Sequence, residues 1–263
     1  MEQDLEHRLT FARELILEAG AVALGYFDRL STLTVRNKGV QDVVSEADVE
    51  VEQLIKRRLA DAWPADAFLG EETGHADFPG STGIWVVDPI DGTQPFVSGL
   101  RTWCVSIAYV RGNDVVFGLV NNPSQRELFV GGLGVPATLN GASITPHVGQ
   151  ALTDGLTFLG CSNRVTPEQV VPMLDRLLRA HGMYVRNGSG ALGLCDVACG
   201  RLIGYVEPHI NSWDCLGAVA VLEAAGARVS PFLTAESLLN GSAIVAGPTA
   251  VFDELRAVLG VPA

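Results

Sequence analysis

The stretch Ile84-Trp85-Val86-Val87-Asp88-Pro89-Ile90-Asp91-Gly92-Thr93 decides the reading of this chain. Its first four residues are apolar, and a short strand is predicted there. Proline then ends the ladder, and glycine permits a tight turn. Two carboxylates three residues apart project from that bend. Hard divalent cations such as magnesium take oxygen ligands of this kind, usually with only one or two carboxylates each. The Ile90 carbonyl offers a further oxygen. Gly92 and Thr93 can present backbone N–H groups to a phosphate, above all if a helix begins there. By spacing alone, the same residues also suit a polar hairpin turn.

Three further acidic segments flank this one. Ala67-Phe68-Leu69-Gly70-Glu71-Glu72 places two carboxylates after an apolar strand. Trp213-Asp214 stands just before a strongly apolar helix, Cys215–Ala225. Lys38-Gly39-Val40-Gln41-Asp42-Val43-Val44-Ser45-Glu46-Ala47-Asp48 leads into a helix over Asp48–Ala60, with Val49, Val51, Leu54, Ile55 and Leu59 as its apolar residues. Each has a plain structural alternative: a solvated loop for Glu71-Glu72, a helix-capping role for Asp214, and a loop into a capped helix for the Lys38–Asp48 segment.

The chain has 263 residues, 48% apolar and 18% charged, a globular composition able to build a core. The length suits one compact unit of two subdomains, 1–145 and 146–263. The formal net charge is −12, with lysine and arginine too few and too scattered for a nucleic-acid footprint. An acidic chain that handles phosphate needs bound cations to supply local positive charge. The cysteines, Cys104, Cys161, Cys195, Cys199 and Cys215, form no C-x-x-C pair, and reduced thiols are expected. The charged opening Met1–Phe11 has no apolar signal core, and no apolar run reaches membrane-spanning length. A cytoplasmic protein without a membrane partner is the expectation.

An amphipathic helix is predicted over 4–27, and strands at Ile84–Val87, Val105–Val110 and Val115–Leu119, in a mainly antiparallel sheet. A soft boundary follows Asn140-Gly141. The second half alternates: strands at Leu156–Gly160, from Val185, at Gly204–Val206 and at Ser242–Ala246, with helices at Pro167–His181, Gly193–Gly200, Asp214–Gly226 and Thr249–Leu259. Such alternation suggests an α/β arrangement behind an α+β first half.

Taken in order, Gly-Glu-Glu (70–72), Asp-Pro-Ile-Asp-Gly-Thr (88–93) and Trp-Asp (213–214), with an apolar helix and Glu-Ala-Ala-Gly (223–226) behind them, resemble the inositol monophosphatase family. The resemblance covers nearly the whole chain. It implies the layered α-β-α-β-α sandwich of the inositol monophosphatase and fructose-1,6-bisphosphatase type. It also implies a homodimer and a magnesium-dependent, lithium-sensitive phosphomonoesterase working through metal-activated water. Glu71, Asp88 and the Ile90 carbonyl would hold a first magnesium ion, and Asp88, Asp91 and Asp214 a second. A weaker third ion would lean on Glu71. Asp48 and Thr93 would orient and deprotonate the attacking water, with Gly92 and Thr93 N–H groups on the phosphate. Lys38 matches the family's mobile-loop lysine. Two metals can stabilise attacking and leaving oxygens together without a nucleophilic side chain.

The same resemblance makes Glu207 an acceptor for substrate hydroxyls, and Gly188-Ser189-Gly190 the loop beside the polyol ring. Asp91 and Asp214 would also contact substrate. His209, close to Trp213-Asp214, is a candidate for the rim. The chain departs from the inositol phosphatases at Gln94-Pro95-Phe96, at Val97-Ser98-Gly99-Leu100 and at Ser45. The departures leave the ligands intact and open the substrate: myo-inositol monophosphate first, histidinol phosphate or another sugar or nucleotide phosphate as alternatives. A non-catalytic protein that keeps the fold to contact a macromolecule is the reading from another class.

Overall fold

Helix α1 (Gln3–Phe27) forms because small and apolar residues recur at helical spacing, and Leu9, Ala12, Leu15, Ile16, Ala19 and Ala23 are buried along one face. The structure, a computed structural model, describes residues 3–39, 42–75 and 81–261. Val40, Gln41 and the Lys38 side chain lie outside the described residues. A hairpin of β1 (Val35–Gly39) and β2 (Asp42–Ser45) enters α2 (Glu46–Ala62). Ser45 and Asp48 form a capping box that fixes the start of this helix. The buried stripe of α2 is Ala47, Asp48, Val51, Glu52, Ile55 and Leu59, whereas Val49, expected on the apolar face, is 40% exposed. Two carboxylates therefore occupy the inward face.

The first sheet is built from β3 (Ala67–Gly70), β4 (Gly74–His75), β5 (Ile84–Asp91), β6 (Cys104–Arg111), β7 (Asp114–Asn122), β8 (Glu127–Gly132), β9 (Val135–Leu139) and β10 (Ala142–Ser143), with the short helix α3 (Thr93–Val97) between β5 and β6. Its order is β10-β9-β8-β7-β6-β5-β3-β4. Every neighbouring pair is antiparallel except β3 beside β5. Asn140 and Gly141, with φ of 52° and 81°, turn β9 into β10, as an Asn-Gly hairpin requires.

The second half supplies β11 (Leu156–Leu159), α4 (Pro167–Arg179), β12 (Met183–Val185), α5 (Gly190–Ala198), β13 (Gly204–Ile210), α6 (Ser212–Ala225), β14 (Arg228–Val229), α7 (Ala235–Asn240), β15 (Ser242–Gly247) and α8 (Phe252–Leu259). The second sheet runs β12-β11-β13-β15-β14, parallel on the β12 side and antiparallel on the β15 side. Val185 ends a strand where one was expected to begin.

The elements stack as five layers. Helices α1 and α2 cover one face of the first sheet around Leu15, Trp85 and Phe117. Helices α5 and α6 fill the space between the sheets, and α4 and α8 cover the outer face of the second around Met173, Val206 and Leu255. This is the predicted α-β-α-β-α sandwich. Helix α6 is apolar on nearly every side because it is enclosed. Its close seat needs glycine: a Cβ on Gly118 of β7 would stand 2.1 Å from the Gly217 carbonyl oxygen.

Candidate active site

Two carboxylates three apart would leave a regular strand on opposite sides. Here Asp88 pairs with Ser106 and Asp91 with Cys104, so β5 carries one more residue than β6 between those points. That bulge, at Pro89, turns both carboxylates toward one place. Asp214 arrives from the first turn of α6, where it also caps the helix through Asn211 N and Nδ2, each at 3.2 Å. One oxygen from each of Asp88, Asp91 and Asp214 lies within 4.8 Å of the others, a set that could hold a metal ion. Both readings of Asp214, cap and cluster member, are realised at once.

The cluster is buried and anionic. Asp88 Oδ1 accepts from Ile90 N at 2.9 Å, while its Oδ2 is buried and has no hydrogen-bond partner among the described residues. Burial, then the charges of Glu71, Asp91 and Asp214, push the Asp88 carboxyl well above its usual range. Burial and Asp214 raise Asp91 to about 7, against hydrogen bonds from Ser189, Ala191 and Gly190 that lower it. Asp214 is raised too, chiefly by burial. Glu71 follows β3, its N–H 3.3 Å from Val87 O, and it lines the same cavity.

Asp91 sits at the N-terminus of α5. It accepts from Ala191 N at 2.7 Å, from Gly190 N at 3.3 Å and from the Ser189 hydroxyl. Ser189 is fully buried, and its hydroxyl is thus directed at Asp91. The buried Cys104 thiol is a further neighbour, 3.7 Å from Asp91 Oδ2.

Gly92, at φ 92°, takes a left-handed conformation that lets α3 start at Thr93. The first helical bond runs from Phe96 N to Gly92 O, so the Gly92 and Thr93 N–H groups stand at an open helix N-terminus. Thr93 Oγ1 lies 3.1 Å from Asp48 Oδ1 and 3.2 Å from the Ile90 carbonyl oxygen, and its one proton serves one of them at a time. Asp48 is 0% exposed and accepts also from Ser45 N at 2.9 Å. Burial raises its carboxyl despite these donors.

A cavity of about 710 Å³ opens on this cluster, lined among others by Glu71, Asp88, Ile90, Asp91, Thr93 and Asp214. A smaller one of about 100 Å³ adjoins it, lined by Asp91, Gly188, Ser189, Gly190, Glu207 and Asp214. Glu207, on β13, accepts from the Tyr205 hydroxyl, and burial lifts its carboxyl to about 8. His209 is not among the residues lining either cavity: its Nε2 lies 2.8 Å from Asn240 O. Arg164 and Arg186, which sequence reasoning passed over, line the larger cavity. Arg164 lies on a loop after β11, at a strand's carboxyl end, and that position was the available signal.

Comparison with known proteins agrees with this architecture. An inositol monophosphatase from Anabaena superposes with a TM-score of 0.84, at 30% identity, over 99% of this chain and 98% of its own. The fold is that of the inositol monophosphatases. An inositol-1-monophosphatase of Synechocystis is 32% identical over 258 residues, 97% of this chain and 90% of its own length. A protein of Haemophilus influenzae named Nus factor SuhB is 31% identical over 252 residues, 94% of this chain and 93% of its own. A profile of the inositol monophosphatase family matches residues 4–259, and the chain belongs to that family.

Proposed function

We propose that this chain is a magnesium-dependent phosphomonoesterase for a small polyol phosphate, myo-inositol monophosphate before others. The observation that carries the reading is the convergence of Asp88, Asp91 and Asp214 beside Glu71 and the Thr93–Asp48 pair. A buried Asp88 carboxyl amid the charges of Glu71, Asp91 and Asp214 calls for a cation. An all-oxygen donor set suits magnesium, with Glu71, Asp88, Asp91, Asp214 and the Ile90 carbonyl as its holders. Bound there, magnesium would supply the charge that balances a phosphate and makes water a better nucleophile.

The chain's own groups do the rest. Gly92 and Thr93 N–H groups bind phosphate oxygens at the start of α3. With its proton on Asp48 Oδ1, Thr93 Oγ1 keeps a lone pair for a proton of the attacking water, which orients the water's oxygen toward phosphorus. The water's proton passes to Thr93 Oγ1 as the threonine's own proton moves onto Asp48. The raised Asp48 carboxyl makes it a stronger proton acceptor than an exposed aspartate. Glu207 accepts hydroxyls of the leaving group in the smaller cavity, held in place by Tyr205. Ser189, with Gly190, steadies Asp91.

A homodimer in the cytoplasm completes the reading. Its five cysteines are free, and no described helix is long and apolar enough to cross a membrane. The relative named Nus factor SuhB favours a second reading, a macromolecule-binding protein without turnover. Phosphate release from myo-inositol 1-phosphate and from histidinol phosphate separates the two. Turnover should need magnesium, stop with chelator and fall with lithium. Turnover undiminished in excess chelator, or none on any small phosphate ester, would sink the proposal.

A further inference from the structure

Glu52 is a buried carboxylate that the mechanism above does not use. It lies on α2 one turn after Asp48, on the same inward face, and is 0% exposed. Its Oε2 accepts from Glu72 N and its Oε1 from Thr73 N, each at 2.8 Å. These are the two residues that follow Glu71. On the other flank, Gly70 makes room: a Cβ there would stand 2.4 Å from Glu52 Oε2. The Glu71 N–H leans on Val87 O of β5, one residue before Asp88. The turn that carries Glu71 is thus gripped by β5 on one side and by both oxygens of Glu52 on the other. The two buried carboxylates of α2 divide the site between them, Asp48 holding Thr93 and Glu52 holding the Glu71 turn.

We propose that Glu52 is a positioning residue: its two-oxygen clamp fixes the Gly70–Thr73 backbone so that Glu71 stays aimed at the Asp88 cluster, and it thereby sets magnesium affinity. The proposal rests on the reading of Glu71 as a magnesium ligand. A charged acceptor on two N–H groups makes a strong and directional clamp. Stability alone does not call for a charge here, because taking a carboxylate out of water carries a desolvation cost that offsets much of what its hydrogen bonds gain. Glu72 is partly exposed and Thr73 exposed, so their N–H groups can turn to water when the clamp is removed. The fold then survives while the turn loosens. Outer-shell partners of metal ligands are typically worth about 10- to 100-fold in metal affinity.

The test uses the full chain with Glu52→Gln, which keeps the volume but leaves one acceptor, and Glu52→Met, which leaves none. In the metal-free protein, amide exchange at Glu72 and Thr73 should quicken at least about tenfold in both variants, with β6 unchanged. Calorimetric titration with magnesium alone should show an affinity about tenfold weaker or worse. The same substitution in a Glu71→Gln background should then change magnesium affinity less than about twofold, since both act through one group. Unchanged exchange or unchanged magnesium affinity in the folded variants would overturn the clamp. A full loss persisting in the Glu71→Gln background would overturn its action through Glu71. If Glu71→Gln alone left magnesium affinity intact, the ligand reading would fall and the affinity role of Glu52 with it, whatever the exchange data showed.

Discussion

The two walls of the cavity are built differently. On the first-half wall, Asp88 and Asp91 are 1% and 6% exposed on a strand enclosed in a sheet, and backbone N–H groups orient both. On the second-half wall, Arg164 and Arg186 are exposed and sit on connecting segments. In the proposed reading, charge is placed by enclosed elements, and the leaving group would meet both these exposed connecting segments and the buried Glu207 of β13. Asp91 joins the two, because a first-half carboxylate occupies the N-terminus of second-half helix α5.

The largest effect should follow from breaking the rigid wall. Asp91→Asn removes a charge with almost no change in volume, and its amide oxygen can keep the bonds from Ser189 and Ala191. The variant should fold. Its kcat should fall at least about a thousandfold, in line with the several kcal/mol a metal centre contributes. Steady-state kinetics with circular dichroism as the folding control checks this, and a kcat within a fewfold of wild type would remove Asp91 from the site.

The other wall should respond to substrate rather than to chemistry. Glu207 accepts from Tyr205 at the back of the smaller cavity, away from Thr93. Glu207→Ala should lower kcat/KM for the preferred polyol phosphate by about 10- to 100-fold, as expected when substrate hydroxyls lose a buried hydrogen-bond partner. The loss on an aryl phosphate, which offers no hydroxyls, should be far smaller. A histidinol phosphate enzyme would instead lose a charge partner, and added salt would erode wild-type preference. Equal losses on both substrates would place Glu207 in the chemistry or the fold.

The same contrast explains what could be read from the sequence. The β5 turn was legible because proline, glycine and two carboxylates each dictate local geometry at fixed spacing. The layered fold followed from the family resemblance, to which that motif contributed most. Strand β8 escaped notice because Gly131 and Gly132 cut short its apolar run, and β9 because Pro136 sits inside it. A Cβ on Gly131 would stand 2.8 Å from Val221 Cα, so α6 sets that residue and the strand itself does not. Glu52 was hidden for a different reason: a glutamate in a helix reads as a solvated face. The signal was positional, since Glu52 falls in one stripe with Asp48, Ile55 and Leu59. Arg164 and Arg186 carry no periodicity, and only the three-dimensional cavity brings them together.

The last expected effect concerns stability without metal, and it distinguishes the walls by titration. Asp91 is raised from its ordinary value to about 7 and Glu207 to about 8, in both cases chiefly by burial. For groups raised on folding, the protonated form is favoured in the native state. The stabilising contribution is complete below the unfolded pKa, near 4, and is lost as pH rises through the folded value. Each group changes stability by up to about 1.4 kcal/mol per pH unit inside its window. Metal-free Asp91→Asn should therefore match wild type near pH 4 and melt at a higher temperature by pH 8, the gap opening between those limits. Glu207→Gln should open a similar gap, reaching slightly higher pH. Magnesium should close the first gap, because a cation beside Asp91 favours its charged form. It should narrow the second gap less, because Glu207 is raised chiefly by burial and only secondarily by the charges of Asp214 and Asp91. Melting curves from pH 4 to 9, with chelator and then with magnesium, give all four comparisons. Parallel curves for wild type and Asp91→Asn without metal would show that Asp91 is already balanced by the protein. The argument for a cation at this cluster would then lose its electrostatic basis.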